Sequence, residues 1–160
     1  MSSIAIGSRP RFSSTFVTAP PLPKGYSPCA VGFDLVEIPG FSTQLEEPGS
    51  HFKNLFSSAE RRYCERSSNP AAAYAARWAA REAFFKAWSS TQFGCPPSLA
   101  DDPRLFAQVE VISDAWSRPN LRLRDEVSEV FSATLPGAHS FLSLSHDGDY
   151  AAAVVMLASL

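Results

Sequence analysis

The chain has 160 residues, which at roughly 100 to 200 residues per domain is enough for one core. Apolar residues make up 45% and charged residues 19%, a balance too apolar for a wholly disordered chain. Sixteen acidic against fourteen basic side chains leave a formal charge of -2, so the net basic field of a non-specific nucleic-acid binder is missing; the longest apolar run, Tyr150 to Ala158, is far short of the ~20 residues that span a bilayer.

Residues 1–28 contain Pro10, Pro20, Pro21, Pro23 and Pro28, six serines, and three bases without an acid. This composition predicts a disordered N-terminal arm. An acid-free stretch with Arg and Ser also suggests a transit peptide, but the prolines oppose the amphipathic helix such a peptide needs. The folded domain is therefore expected over residues 29–160, with a net charge of about -5 once the arm is set aside. An acidic protein partner would need a local basic patch. Cys29, Cys64 and Cys95 are odd in number and widely spaced, which excludes a disulfide framework or a zinc pattern and predicts reduced, buried thiols in a cytoplasmic protein.

Ala30 to Ile38 reads as a strand closed by Pro39-Gly40, with Asp34 interrupting an otherwise apolar run. Period-two geometry puts Asp34 on the face of Gly32 and Val36 and turns Glu37 the other way. A short helix is expected over Phe41 to Glu47, and Ser57 with Glu60 forms a capping box that starts another. Asn69-Pro70 supplies an N-cap and a proline at N1 for a helix running to about Trp88. Its many alanines allow a neighbouring backbone or a ligand to approach closely. Glu82 and Lys86 are spaced as an i,i+4 ion pair, and Arg77 and Arg81 as a basic stripe.

Beyond a loop, Phe106 to Ile112 and Leu121 to Arg124 read as strands joined through Ser117-Arg118-Pro119-Asn120. Glu126 to Leu135 is an amphipathic helix stopped by Pro136-Gly137. Ser140 to His146 alternates, with Leu142, Leu144 and His146 on one face, and Asp147-Gly148-Asp149 turns into a last strand from Tyr150 to Leu157. The order βααββαββ predicts an α+β domain with a mostly antiparallel sheet. Taken singly, the polar residues keep two readings each. Asp34 is a strand-end turn residue or a functional carboxylate, Glu82 with Lys86 a solvated pair or part of a site, and His146 a surface histidine or a ligand contact.

In order, Gly32-Phe33-Asp34-Leu35-Val36-Glu37-Ile38, Ala76-Arg77-Trp78-Ala79-Ala80-Arg81-Glu82-Ala83-Phe84-Phe85-Lys86-Ala87, and Ser143-Leu144-Ser145-His146-Asp147 before Tyr150-Ala151-Ala152-Ala153 resemble the holo-[acyl-carrier-protein] synthases, the short 4'-phosphopantetheinyl transferases. Ile38-Pro39-Gly40-Phe41 and Ala115-Trp116-Ser117-Arg118-Pro119 are similar to the actinobacterial branch, whose acceptor can be a carrier domain of a type I fatty acid synthase. The resemblance implies the transferase fold with a long central helix, assembled as a homotrimer with coenzyme A between subunits. Transfer of 4'-phosphopantetheine from coenzyme A to a serine of an apo-acyl carrier protein, releasing adenosine 3',5'-bisphosphate, is the activity it implies. Asp34 and Glu82 would hold Mg2+, Lys86 would meet the pyrophosphate, Arg77 would lie near the nucleotide, and Ser145 with His146 would contact the 3'-phosphate side.

Three departures from the family pattern bear on these roles. Arg81 stands where lysine is usual, which removes proton transfer at that position but leaves a phosphate contact open. Val36 occupies the place of a third carboxylate in longer relatives, so two protein ligands are expected. Gln44, Glu46 and Glu47 follow the first strand where many members carry arginines for the acidic carrier, so carrier recognition is expected to differ. Leu142 and Leu144 are expected at a threefold-related interface. The competing readings are a non-catalytic trimeric scaffold for coenzyme A or another nucleotide, and a metal-dependent pyrophosphate hydrolase using the same carboxylates.

Overall fold

The computed structural model describes Gly25 and residues 27–159. The arm expected over residues 1–28 falls almost wholly outside them, but its last two residues already belong to the first strand, β1 (Ser27–Glu37). Pro28 is tolerated there because among the described residues β1 is an edge strand, paired with the last strand on one side, and its register shifts between Pro28 and Ala30.

Pro39-Gly40 does not terminate a strand. It opens α1 (Ile38–Glu46), because a proline in the first helical turn has no N–H to lose and the side chain of Glu37 caps the turn by accepting from Gly40 N at 2.7 Å. A 3-10 turn (Phe52–Leu55) leads into α2 (Ser58–Arg66), which carries the expected capping box between Ser57 and Glu60. Helix α3 (Pro70–Ser90) starts at the Asn69 cap, whose side chain accepts from Ala72 N. Phe106 to Gln108, expected as strand, belongs instead to a 3-10 turn over Pro103–Gln108, begun by the Asp102 side chain accepting from Arg104 N. Strand β2 (Val109–Ser113) pairs with β3 (Pro119–Leu123), α4 (Asp125–Thr134) follows, and β4 (Ala138–Asp147) and β5 (Tyr150–Ser159) form the final hairpin.

All pairings are antiparallel, but they make two sheets rather than one: β1-β5-β4 and the ribbon β2-β3. Helix α3 lies across the three-stranded sheet and is buried along most of its length. The close approach has a specific cause. A Cβ built at Gly32 would stand 1.9 Å from the carbonyl oxygen of Ala83 and 2.7 Å from Ala87 N, so strand and helix backbones are almost in contact there. Phe84, Trp88, Val109, Val127, Phe131, Val155 and Leu157 fill the core beyond this crossing.

The period-two pattern divides the three-stranded sheet cleanly. Gly32, Asp34, Val36, Ala151, Ala153, Val155, Leu142, Leu144 and His146 face α3. Leu142 and Leu144 therefore pack against the core rather than forming an outer surface. The opposite face presents Val31, Phe33 and Leu35 at 61%, 54% and 54% exposure, with Val154 beside them on β5. No helix among the described residues is long and apolar enough to cross a membrane. Of the three unpaired thiols only Cys64 is buried; Cys29 and Cys95 are exposed, one at the strand bulge and one in the loop after α3, where neither position has core above it.

Candidate active site

Asp34 reaches the flank of α3 because the residue two before it is glycine, which lets the strand lie directly on the helix. Glu82 comes from α3, and the two carboxylates line one cleft of about 370 Å³ together with Glu37, Gly40, Phe41, Gln44 and Trp78. Lys86, one turn beyond Glu82, extends its ammonium to Asp34 Oδ1 at 2.7 Å. The pair suggested by spacing, Glu82 with Lys86, is thus replaced by a long-range one, and Lys86 is bound across the strand–helix junction instead of along the helix.

The electrostatics of the cleft follow from this arrangement. Burial and the negative charge of Asp34 together raise the Glu82 carboxyl above the ordinary carboxylate value, while Lys86 pulls it back in part. The Lys86 ammonium is held above its usual value chiefly by its hydrogen bond to Asp34. Two oxygen donors with an excess of negative charge, partly desolvated, suit a hard divalent cation that retains several waters. Among the described residues no group of three or more acidic, histidine or cysteine side chains is placed to hold a metal ion.

Arg77 and His146 lie elsewhere. They line a second cleft of about 230 Å³ with Tyr63, Ser67, Ser113, Ser117 and Leu144. Arg77 is 5% exposed, stacks its guanidinium 4.0 Å from the ring centre of Tyr63, and donates through Nη1 to Ala73 O. Its Nε has no hydrogen-bond partner, and no carboxylate of the described residues pairs with it. A buried guanidinium in that condition favours an anion from outside the chain. Ser117, at φ 64°, holds a left-handed backbone on the wall of the same cleft. The side chain of Ser145 is on the other face of β4 and does not share the cleft with His146.

Asp34 and His146 are thus on the same sheet face but on its two outer strands, about 12 Å apart by strand spacing and rise, with α3 between them. Arg77 and Glu82 are five residues apart on that helix, so they point about 140° away from each other. Within one chain the expected residues form two sites on opposite flanks of α3.

Arg81 is in neither. It is fully buried, and every part of its guanidinium is engaged: Nη2 with Glu60 Oε2 at 2.7 Å and Leu55 O, Nε with Phe106 O, and Nη1 with Arg77 O. Both the solvated stripe and the phosphate contact at Arg81 are excluded by this burial. Glu60 completes the arrangement by accepting from Ser57 N and from Val111 N, so one carboxylate ties α2, α3 and β2 together. Removing one partner of such a buried pair costs about 3–5 kcal/mol.

The comparisons with known proteins agree with the fold. The model of the 4'-phosphopantetheinyl transferase superfamily matches residues 30–155. A holo-[acyl-carrier-protein] synthase of Nocardia farcinica is 45% identical over 129 residues, 79% of this chain and 85% of that one. The structure of the Chronobacterium ammoniagenes ACPS–CoA complex has a TM-score of 0.77 at 45% identity, covering 82% of this chain and 97% of its own. The acyl carrier protein synthase of Mycobacterium tuberculosis follows with a TM-score of 0.67 at 36% identity, over 84% and 100%. These matches define the class, since the architecture is that of a phosphopantetheinyl transferase. Within the 4'-phosphopantetheinyl transferase superfamily, the chain belongs to the holo-[acyl-carrier-protein] synthases.

Proposed function

We infer that the protein transfers the 4'-phosphopantetheine moiety of coenzyme A to a serine of an apo-acyl carrier protein or carrier domain, serving fatty acid biosynthesis. In this displacement the serine oxygen bonds to the phosphorus that carries pantetheine, and the bond from that phosphorus to the bridging oxygen of the pyrophosphate breaks. Adenosine 3',5'-bisphosphate leaves, and the serine proton must be accepted. The single observation that carries the reading is the convergence of Asp34 and Glu82 on one cleft from a strand and a helix, with Lys86 bound to Asp34.

The roles follow from the chemistry of each group. Asp34 and Glu82 would hold Mg2+, which when bound neutralises charge on the pyrophosphate. Glu82, by its place in the cleft, is the candidate acceptor for the serine proton. Lys86, with over half of its side chain exposed, presents a positive charge that can turn from Asp34 to the pyrophosphate. The unpaired guanidinium of Arg77 and the imidazole of His146 offer a seat for the 3'-phosphate and nucleotide. Three unpaired thiols suit a reducing cytoplasmic setting.

Because the two sites face away from each other in one chain, a homotrimer that sets the carboxylate cleft of one subunit against the Arg77–His146 cleft of the next would complete them. The outer sheet face with Val31, Phe33, Leu35 and Val154 supports such an assembly, and Ser145 on that face would meet coenzyme A only from the interface. A scaffold for coenzyme A has no need of two carboxylates beside phosphates, whereas a hydrolase would use the same pair.

One experiment separates the three readings. The protein is incubated with coenzyme A, Mg2+ and an apo-acyl carrier protein, and both carrier mass and coenzyme A are followed. Transfer adds phosphopantetheine to the carrier; intact coenzyme A with unchanged carrier indicates a scaffold, and cleaved coenzyme A with unchanged carrier a hydrolase. Asp34→Ala and Glu82→Ala are expected to abolish transfer while retaining the wild-type circular dichroism spectrum.

A further inference from the structure

The basic side chains of this acidic enzyme are not distributed evenly in their partnering. Arg81, Lys86, Arg104, Arg118, Arg122 and Arg124 each stand within 4.0 Å of a carboxylate. Among the described residues the bases outside any such pair are Arg77, inside the anion cleft, and Lys53, Arg61, Arg62 and Arg66, which all lie on the 3-10 turn Phe52–Leu55 and on α2. Lys53, Arg62 and Arg66 are exposed, and Arg62 and Arg66 are one helical turn apart on the same side of α2. Arg61 holds the two elements together, donating to Phe56 O at 2.9 Å and Lys53 O at 3.4 Å.

This basic edge is continuous with both clefts. Trp78 lines the carboxylate cleft and packs 4.7 Å from the ring of Phe52, the neighbour of Lys53. At the other end, Arg62 and Arg66 border a hollow that shares Tyr63 and Ser67 with the Arg77–His146 cleft. Helix α1, which also borders the carboxylates, ends in Glu46 and Glu47 and has no base. An acidic partner reaching the carboxylate cleft is therefore repelled from the end of α1 and attracted along Lys53, Arg62 and Arg66.

We propose that Lys53, Arg62 and Arg66 form the docking surface for an acidic face of the carrier protein, in place of the first helix. The proposal rests on the transferase reading, which supplies the protein partner. A row of long cations on an open helix face suits a macromolecular surface, whereas the small anions of coenzyme A are served by the enclosed Arg77.

The test measures initial rates with a purified bacterial apo-acyl carrier protein for the wild type, for Arg62→Glu/Arg66→Glu, and for Arg104→Glu as a control in a base already paired with Asp102. Reversal on α2 is expected to raise KM for the carrier by roughly tenfold or more and to flatten its salt dependence, with KM for coenzyme A within about twofold of wild type. Arg104→Glu is expected to change neither. An unchanged carrier KM in the α2 variant overturns the proposal, as does an equal rise for carrier and coenzyme A, which would assign the arginines to the nucleotide. A wild type that transfers nothing under these conditions refutes the transferase reading itself, so the two failures are distinct. Thermal unfolding checks that the exposed substitutions leave the fold intact.

Discussion

Replacing Gly32 with alanine tests whether the crossing of β1 over α3 is as tight as the catalytic geometry requires. The added Cβ would lie 1.9 Å from Ala83 O, 2.7 Å from Ala87 N and 2.9 Å from Ala83 C, all backbone atoms that no rotamer change can move. Restoring a separation of about 3.4 Å parts the strand and helix by about 1.5 Å. Overpacking of a core typically costs ~1–3 kcal/mol, and a backbone-to-backbone contact belongs at the upper end, about 3 kcal/mol. In a domain of this size that lowers Tm by roughly 10 °C. The same displacement moves Asp34 away from Glu82 and Lys86, and a shift on the order of 1 Å can reduce the rate about a hundredfold. Tm is read by circular dichroism, and kcat at a temperature where both proteins are folded. Adding Ala83→Gly is expected to bring no rescue, because the collision is with the carbonyl and not with a methyl group. A Gly32→Ala protein with wild-type Tm and kcat would refute the reasoning.

Phe33→Asp places a charge in the centre of the exposed apolar sheet face and is expected to reduce the mass measured by light scattering to that of a single chain, with loss of activity; an assembly of unchanged mass would move the interface elsewhere. Co-expressing Glu82→Ala and His146→Ala chains under distinct tags is expected to restore part of the activity in the purified mixed oligomer, since some interfaces then hold both intact clefts; a mixed species as inactive as each parent argues against a shared site. Glu110 is pushed up by burial but brought net below the usual carboxylate value by hydrogen bonds from Ser57 and Arg124 and the charges of Arg124 and Arg122. Its stabilising contribution is therefore complete above the ordinary carboxylate pKa of ~4.3 and is lost as pH falls through the depressed folded value. Urea unfolding of Glu110→Gln is expected to show a deficit of about 1 kcal/mol at pH 7 that narrows as pH falls below about 4.3.

Local signals announced their elements accurately where the partner atoms were also local. Asn69-Pro70 began α3, Ser57 with Glu60 capped α2, and the turn after Asp147 closed the last hairpin. The failures share a physical origin, which is that a distant group took over the interaction. Lys86 fits a helical pair with Glu82 by spacing, yet Asp34, 52 residues away in sequence, holds its ammonium. Arg81 has the look of a solvated base, but Glu60, already used as a capping residue, has a second role 21 residues further on. Pro39-Gly40 was ambiguous because the same dipeptide closes strands and opens helices, and only the reach of the Glu37 side chain decides. Legible from the motifs were the carboxylates and the lysine of the cleft. The resemblance implies that His146 serves a site apart from the carboxylates of its own chain, but the placement of Arg77 beside His146 depends on how α3 lies across the sheet.

The irregularity at Cys29 has a consequence for how this chain tolerates changes in length. Upstream of the step between Pro28 and Ala30 only Ser27 and Pro28 are paired with β5, so the gain or loss of a residue there leaves the strand beyond the step in register. From Ala30 to Asp34 there is no such slack. Deleting Phe33 alone would rotate Gly32 outward and drive the side chain of Val31 into the Ala83 carbonyl, while turning the remaining upstream apolar residues inside out. Between the bulge and the aspartate of the cleft, a conservative substitution at a position other than Gly32 keeps the register, whereas a single-codon insertion or deletion does not.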